Sequence, residues 1–222
     1  MSKRTLDVAV LKISASRTLE PYEAAVIRGY LGQKFPEEPL LHHHLDKGFL
    51  YTYPKIQFKI IKGIAHIIGI DEGLSVVNNI KGIMTGLRLE ENKIEFYEPQ
   101  LRIKTEQFGS LDKEDKYIFA TPWLALNEKN YHEYISSDKK EDILKRALVG
   151  NVLSMCKGIG YVVKNDLKVN LNIKETSATL KGTPMLGFLG TFAVNFEIPD
   201  YWGIGKSVSR GFGTVIRQKK EM

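Results

Sequence analysis

The sequence is poor in the features that mark disulfide-linked, secreted and membrane-spanning proteins. Its 222 residues include a single cysteine, Cys156, so no disulfide can form within the chain, which is typical of a reducing compartment. No stretch approaches the roughly 18 consecutive apolar residues of a transmembrane helix, and the first residues lack the apolar centre of a signal peptide. We therefore expect a cytoplasmic protein without a membrane partner.

Two nucleotide-binding motifs are also missing. A P-loop needs a glycine five positions before Gly205, where the chain has Asp200. A dinucleotide fingerprint that begins at Gly203 needs a third glycine at the position of Val208. The chain also lacks a persuasive Ser/His/Asp or Cys/His set for covalent catalysis.

Basic residues, in contrast, are plentiful. The chain has 32 Lys and Arg against 26 Asp and Glu, which gives a formal net charge of +6 and a pI near 9.2. This excess favours an anionic partner, with nucleic acid first among the classes. Hydrophobic residues make up 43% of the chain, enough for the core of one large domain or two small ones.

The order of predicted elements in the first half is β-α-β-β-α-β with hairpin additions, as in a ferredoxin-like domain. Ile56, Phe58 and Ile60 alternate with Gln57 and Lys59, which predicts a half-buried strand. The predicted elements are a strand at 6–14, a helix from Pro21 that stops at Pro36, strands within 49–61 and at 64–70, a helix from 71 to 80 and a long hairpin at 84–108.

The second half repeats this order, without visible sequence repetition. A charged stretch at 111–116 indicates the boundary between an N-terminal domain, 1–112, and a C-terminal domain, 113–222. We therefore predict an α+β protein with two tandem ferredoxin-like (RRM-like, βαββαβ) domains. The elements predicted here are a strand at 116–126, helices at 127–135 and 138–156, with Cys156 in the core, and strands at 166–173, 177–182, 185–197 and 212–218.

Three of the five histidines lie in one stretch, residues 41–51. If Lys47 and Gly48 form a two-residue hairpin turn, His44 pairs with Tyr51 and His42 with Tyr53, and these side chains share one face. Histidine titrates nearest to neutral pH, so the patch could move protons. A loop of solvated or packed histidines and a metal site are the alternatives, although the metal site lacks an obvious third and fourth ligand.

A glycine-rich stretch, residues 203–215, is the second informative feature. Its glycines could bring backbone N–H groups close to phosphates, which its two cations would neutralise. The alternative is a tight turn before the last strand. The candidate phosphate-binding residues are Gly203, Gly205, Lys206, Arg210, Gly211 and Gly213.

The basic glycine loop after a ferredoxin-like repeat resembles the CRISPR-associated RAMP superfamily. With the N-terminal helix and the histidine pair, the chain is similar to the endoribonucleases that process CRISPR repeat RNA, in their type I-B-associated branch. The resemblance implies metal-independent cleavage by an upstream 2′-hydroxyl, giving 2′,3′-cyclic phosphate and 5′-hydroxyl ends. It assigns the principal acid/base role to His44, assisting roles to His42 and Tyr51, and charge stabilisation to Lys34.

The resemblance also implies a repeat-RNA partner, held by Lys206, Arg210 and the glycines around them, and no cofactor. Subunits of a CRISPR effector complex and a second copy of the chain are further candidate partners. Two other functions stay open from the sequence: a non-catalytic RAMP-type RNA-binding subunit of an effector complex, and a metal-dependent nuclease.

Overall fold

The computed structural model describes residues 3–42, 44–45, 48–49 and 53–218, which form two compact units. The N-terminal unit contains Thr5–Glu106 together with the short segment Val208–Gly211. The C-terminal unit contains Gln107–Ser207, the chain from Phe212, and Lys3 and Arg4. In the described part of the chain, every helix is too short or too polar to cross a membrane.

The N-terminal unit is built on a four-stranded antiparallel sheet with the order β4-β5-β1-β7. If β1, β4, β5 and β7 are counted as strands 1 to 4 of a βαββαβ repeat, their order in the sheet is 2-3-1-4. This is the strand order of a ferredoxin-like sheet. The elements are β1 (Lys3–Ala15), α1 (Glu23–Lys34), α2 (Pro39–His42), β2 (His44–Leu45), β3 (Gly48–Phe49), β4 (Ile56–Ile61), β5 (Ile64–Ile70), α3 (Gly73–Met84), β6 (Arg88–Leu89) and β7 (Ile94–Phe119).

The core of this unit lies on one face of the sheet, where α1 packs against β4 and α3 packs against β5. Ile56, Phe58 and Ile60 of β4 point into it, as their alternation predicts. The prediction of a half-buried strand is wrong, however, because Gln57 and Lys59 on the other face are 0% and 1% exposed. The cover over Lys59 comes from a segment about 150 residues later in the chain, which no local pattern could indicate.

The C-terminal unit has the same strand order. Its sheet has the order β8-β9-β7-β10, and the second part of β7 belongs to it. With β7, β8, β9 and β10 counted as strands 1 to 4 of the repeat, this order is again 2-3-1-4. Both units therefore confirm the predicted fold class, α+β with two ferredoxin-like domains. The remaining elements are α4 (Glu128–Ser136), α5 (Lys140–Ile159), β8 (Val169–Leu180), β9 (Thr183–Glu197) and β10 (Val215–Arg217).

The segment between β9 and β10 differs from its counterpart in the first repeat. Where the N-terminal unit has the helix α3, these described residues form turns and a single 3₁₀ turn, Val208–Arg210. The charged residues 111–116, where we place the domain boundary, lie inside β7, and the pairing of β7 with β9 shifts register between Ser110 and Asp115. Cys156 is 2% exposed on α5, as predicted for a core residue.

Candidate RNA-binding and catalytic site

The described part of the histidine stretch differs from the predicted hairpin. His42 is the last residue of the short helix α2, whereas His44 begins β2 and pairs with Phe49. The predicted pairing of His44 with Tyr51 is therefore wrong, and so is the shared strand face of His42 and His44. The observed pairing of His44 with Phe49 instead of Tyr51 shifts the cross-strand register by two residues. Tyr51 itself lies outside the described residues.

Helix α1 leads into this stretch. Lys34 is its last residue, as the sequence predicts, and α2 follows within five residues. Arg28 on α1 donates a hydrogen bond from Nη2 to the backbone carbonyl of Leu41, at 3.0 Å. This contact joins α1 to the helix that ends at His42, so α1 positions the start of the histidine stretch.

Arg28 also connects α1 with the glycine-rich stretch. Its pKa lies below the ordinary arginine value because its guanidinium is partly buried and because the positive charge of Arg210 acts on it. Arg210 sits in the 3₁₀ turn, which contacts both α1 and β4. Within the N-terminal unit, Arg210 therefore lies near Arg28, although the two residues are far apart in the sequence. Arg28 is on α1, the helix that also carries Lys34.

The 3₁₀ turn is seated on a buried lysine. Lys59 donates from Nζ to the carbonyl of Val208 at 3.0 Å, and burial lowers the pKa of Lys59 to about 7. Gly211 packs so closely that a Cβ atom there would lie 3.1 Å from the Cβ of Ala24 and 3.4 Å from the carbonyl oxygen of Phe58. The position of Arg210 is therefore set by contacts on both sides of the turn.

The other glycines of the stretch shape a loop in the C-terminal unit. Gly205 and Gly213 have φ angles of +95° and +61°. A Cβ on Gly213 would lie 1.9 Å from the carbonyl oxygen of Ile204, and one on Gly205 would lie 2.7 Å from the indole ring of Trp123. Glycine is needed at both positions because any side chain would collide and would strain the backbone.

Several backbone N–H groups of this loop are already used within the protein. Lys206 donates to the carbonyl of Leu124 at 3.1 Å, and Gly213 donates to that of Pro122 at 2.9 Å. Gly211 donates to the carbonyl of Val208 at 3.2 Å. These three groups therefore do not form the phosphate cradle that the sequence suggests, and the cations Lys206 and Arg210 are left as the better candidates for RNA contacts.

Sequence reasoning did not identify Arg28 or Lys59, which the structure joins to the candidate site. A lone arginine on a helix and a lysine at a polar strand position carry no local signal for such a role. In the part of the chain that the structure describes, no three His, Cys, Asp or Glu side chains come close enough to hold a metal ion. His66 is 9% exposed, and its Nδ1 lies 3.0 Å from the carbonyl oxygen of Ile64.

Sequence comparison accounts for nearly the whole chain. Residues 4–107 match the Cas6b N-terminal domain, and residues 109–218 match the Cas6b C-terminal domain. The chain belongs to the Cas6b family. The two family domains meet near the end of the N-terminal unit and share the strand β7.

Solved structures agree with Cas6b membership over the full length. A crystal structure of Cas6b is 40% identical, with 96% of this chain and all of that chain covered and a TM-score of 0.87. A structure described as the CRISPR RNA processing endoribonuclease Cas6b is 38% identical with the same coverage and a TM-score of 0.76. An uncharacterised protein of Methanocaldococcus jannaschii is 48% identical over 119 residues, 52% of this chain and 81% of that protein.

Proposed function

We propose that this protein is a CRISPR RNA processing endoribonuclease that cuts precursor RNA within its repeats. The observation that carries the proposal is its likeness to Cas6b along the whole chain, including a structure described as such an endoribonuclease at 38% identity. The arrangement around α1 supports it, because Lys34 and the contact to Leu41 lead into the histidine stretch while Arg28 and Arg210 supply positive charge.

The reaction we propose uses the RNA as its own nucleophile. The 2′-oxygen attacks the adjacent phosphorus as a base takes its proton, and the P–O5′ bond breaks as an acid protonates the 5′-oxygen. The products are a 2′,3′-cyclic phosphate and a 5′-hydroxyl, and no metal is required. His44 acts as the principal acid/base, assisted by His42 and Tyr51, and Lys34 stabilises charge on the phosphorane.

Two modifications of one experiment test this chemistry. Labelled repeat RNA is incubated with the protein in EDTA, and we expect cleavage to continue at an unchanged rate. Replacing the 2′-hydroxyl at the cleavage site by hydrogen should abolish cleavage while binding stays nearly intact. Cleavage that stops in EDTA would favour a metal-dependent nuclease, and cleavage of the deoxy substrate would rule out the 2′-hydroxyl mechanism.

The same assay addresses the non-catalytic alternative. Tight binding of every repeat tested, with no cleavage of any, would contradict the enzyme and favour an RNA-binding subunit of an effector complex.

A further inference from the structure

A polar cleft of about 390 Å³ lies in the C-terminal unit, between α4, α5 and the glycine-rich loop. Its volume falls within the range of small-molecule sites, about 300 to 1,000 Å³. None of the assignments made above from the sequence explains it, although Lys206 lines it. The lining residues that matter here are Asn127, Glu133, Arg146, Gly150, Asn151 and Lys206.

Two asparagines of the cleft have their side-chain oxygens occupied. The buried indole of Trp123 donates from Nε1 to Oδ1 of Asn151 at 3.0 Å, and an indole N–H can only donate. This bond fixes the amide of Asn151 so that its Nδ2 hydrogens are what it can offer a ligand. Asn127 caps α4 by accepting the backbone N–H of Asn130 at 2.8 Å, which leaves its Nδ2 as a donor as well.

The charged groups of the cleft are mainly donors too. Lys206 is partly desolvated, which lowers its pKa, and Arg146 donates from Nη2 to Oε1 of Glu133 at 2.6 Å. The single carboxylate on this lining is thus paired with an arginine. A ligand that satisfies these donors must offer acceptors, as phosphate oxygens and the keto oxygens of a nucleobase do.

Gly150 leaves the cleft open. It lies in the interior of the 20-residue helix α5, where glycine is a poor helix former. A Cβ atom built there meets no heavy atom within 4 Å, so packing does not require glycine at this position. Its missing side chain instead leaves space along the wall of the cleft.

We infer that this cleft binds a keto base of single-stranded RNA, uracil or guanine, with the adjoining phosphate at Lys206 and Arg146. The inference rests on the proposed function in so far as it takes RNA as the ligand. It adds a base-selective subsite within the C-terminal unit and assigns the donor role to Asn127 and Asn151. The carbonyl oxygens of the base accept from these amides.

Uracil and cytosine provide the sharpest comparison, because they have nearly the same size and differ only at C4 and N3. Uracil has a keto oxygen and an N–H donor there, whereas cytosine has an amino group and an acceptor nitrogen. The probes are the homopolymers rU12 and rC12, and the measurement is the ratio of their dissociation constants by fluorescence anisotropy. We expect the protein to bind rU12 about tenfold more tightly, the discrimination of one well-placed hydrogen-bonded pair. Phosphate contacts are common to both probes and cancel in the ratio.

Two variants remove the preference by different routes. Asn151→Asp keeps an acceptor for the Trp123 indole and removes the amide donors. Its added negative charge should weaken the binding of rU12 and rC12 by the same factor, so it does not change their ratio. Gly150→Leu fills the cleft with a good helix former. The matched control is Gly82→Leu in α3, where a Cβ also meets nothing within 4 Å. We expect the ratio to fall to near one in both cleft variants and to stay near ten in the control.

Equal affinity of the unmodified protein for rU12 and rC12 would overturn the inference, as would an unchanged ratio in Gly150→Leu. Thermal melting by circular dichroism verifies that each variant is folded, and Gly150→Leu should melt no lower than the parent. The repeat-cleavage assay separates the two proposals. Cleavage without a preference for uracil would contradict only the inference about the cleft, whereas absence of both cleavage and RNA binding would contradict the proposed function.

Discussion

At the residue scale, Lys59 is the least expected group in the protein. It is 1% exposed, it donates a hydrogen bond to the carbonyl of Val208, and burial lowers its pKa from 10.5 to about 7. Because the folded-state pKa is the lower one, the unfolded chain holds an extra proton between about pH 7 and pH 10.5. The free energy of unfolding should therefore rise with pH in that window.

Lys59→Met tests this directly. We expect the variant to be more stable than the parent at pH 7 and to lose up to about 1.4 kcal/mol of that advantage per pH unit as the pH rises toward 10. Urea unfolding at pH 6, 7, 8 and 9 measures the difference. Lys81→Met, at an exposed site on α3, is the control and should shift the curve equally at every pH. A constant difference for Lys59→Met would contradict the lowered pKa.

A second residue-scale prediction concerns His44. If it is the acid/base group, His44→Ala should lower the single-turnover cleavage rate by about 10² to 10⁴ and leave repeat binding nearly unchanged. His43→Ala is the matched control and should lower the rate far less. Partial rescue of His44→Ala by added imidazole would strengthen the assignment. Equal rate losses in the two variants would contradict the assignment of His44 as the principal acid/base.

At the element scale, the glycine-rich stretch has two separable tasks. Gly205 and Gly213 let the loop pass close to Trp123 and Ile204, whereas Lys206 and Arg210 extend positive charge from it. The first task belongs to folding and the second to binding. Substitutions can distinguish them because they should affect different measurements.

Gly213→Ala should destabilise the protein by at least about 2 kcal/mol, since a side chain strains the +61° φ angle and meets the Ile204 carbonyl. Lys206→Ala should leave the stability within about 0.5 kcal/mol, as for an ordinary surface change, and weaken RNA binding instead. Urea unfolding without RNA, followed by binding below the unfolding transition, measures both. A stable Gly213→Ala variant would mean that the loop relaxes easily.

The elements themselves were largely predictable because their signals are local. The alternation of β4, the helical spacing of α5 and the turn between β6 and β7 all act within a few residues. The burial of Lys59 and the pairing of Arg28 with the Leu41 carbonyl were not predictable in this way. Lys59 depends on Val208, far along the chain, and a lone helix arginine does not specify which carbonyl it will reach.

The predicted pairing of the β2–β3 hairpin is wrong for a different reason. Because glycine is a common turn residue, the sequence predicts Gly48 in the turn, whereas the structure pairs it with Leu45 in a strand. Because His44 pairs with Phe49, the register differs by two residues from the predicted one, and His44 does not lie opposite Tyr51 in it. The candidate catalytic residues therefore rest on the family resemblance rather than on hairpin geometry.

At the scale of the whole molecule, the net charge of +6 predicts RNA binding that weakens with salt. Net charge alone, however, does not distinguish a phosphate contact from a distant lysine. Counterion release does, because each phosphate contact to single-stranded RNA adds about 0.7 to the slope of log Kd against log salt concentration. The slope thus counts contacts, not total charge.

Three variants with the same net charge of +5 make the final test: Arg210→Ala, Lys206→Ala and Lys81→Ala. If Arg210 and Lys206 contact phosphates, each of the first two should lower the salt slope by about 0.7, and their combination should lower it by about 1.4. Lys81→Ala should leave the slope unchanged, since its side chain lies exposed on α3 and is not among the proposed contacts. Repeat-RNA titrations between 50 and 300 mM KCl supply the slopes, those figures being roughly the range in which the effect is large. Equal slopes in all three variants would mean that the glycine-rich stretch binds no phosphate and attracts RNA only through the general field of the protein.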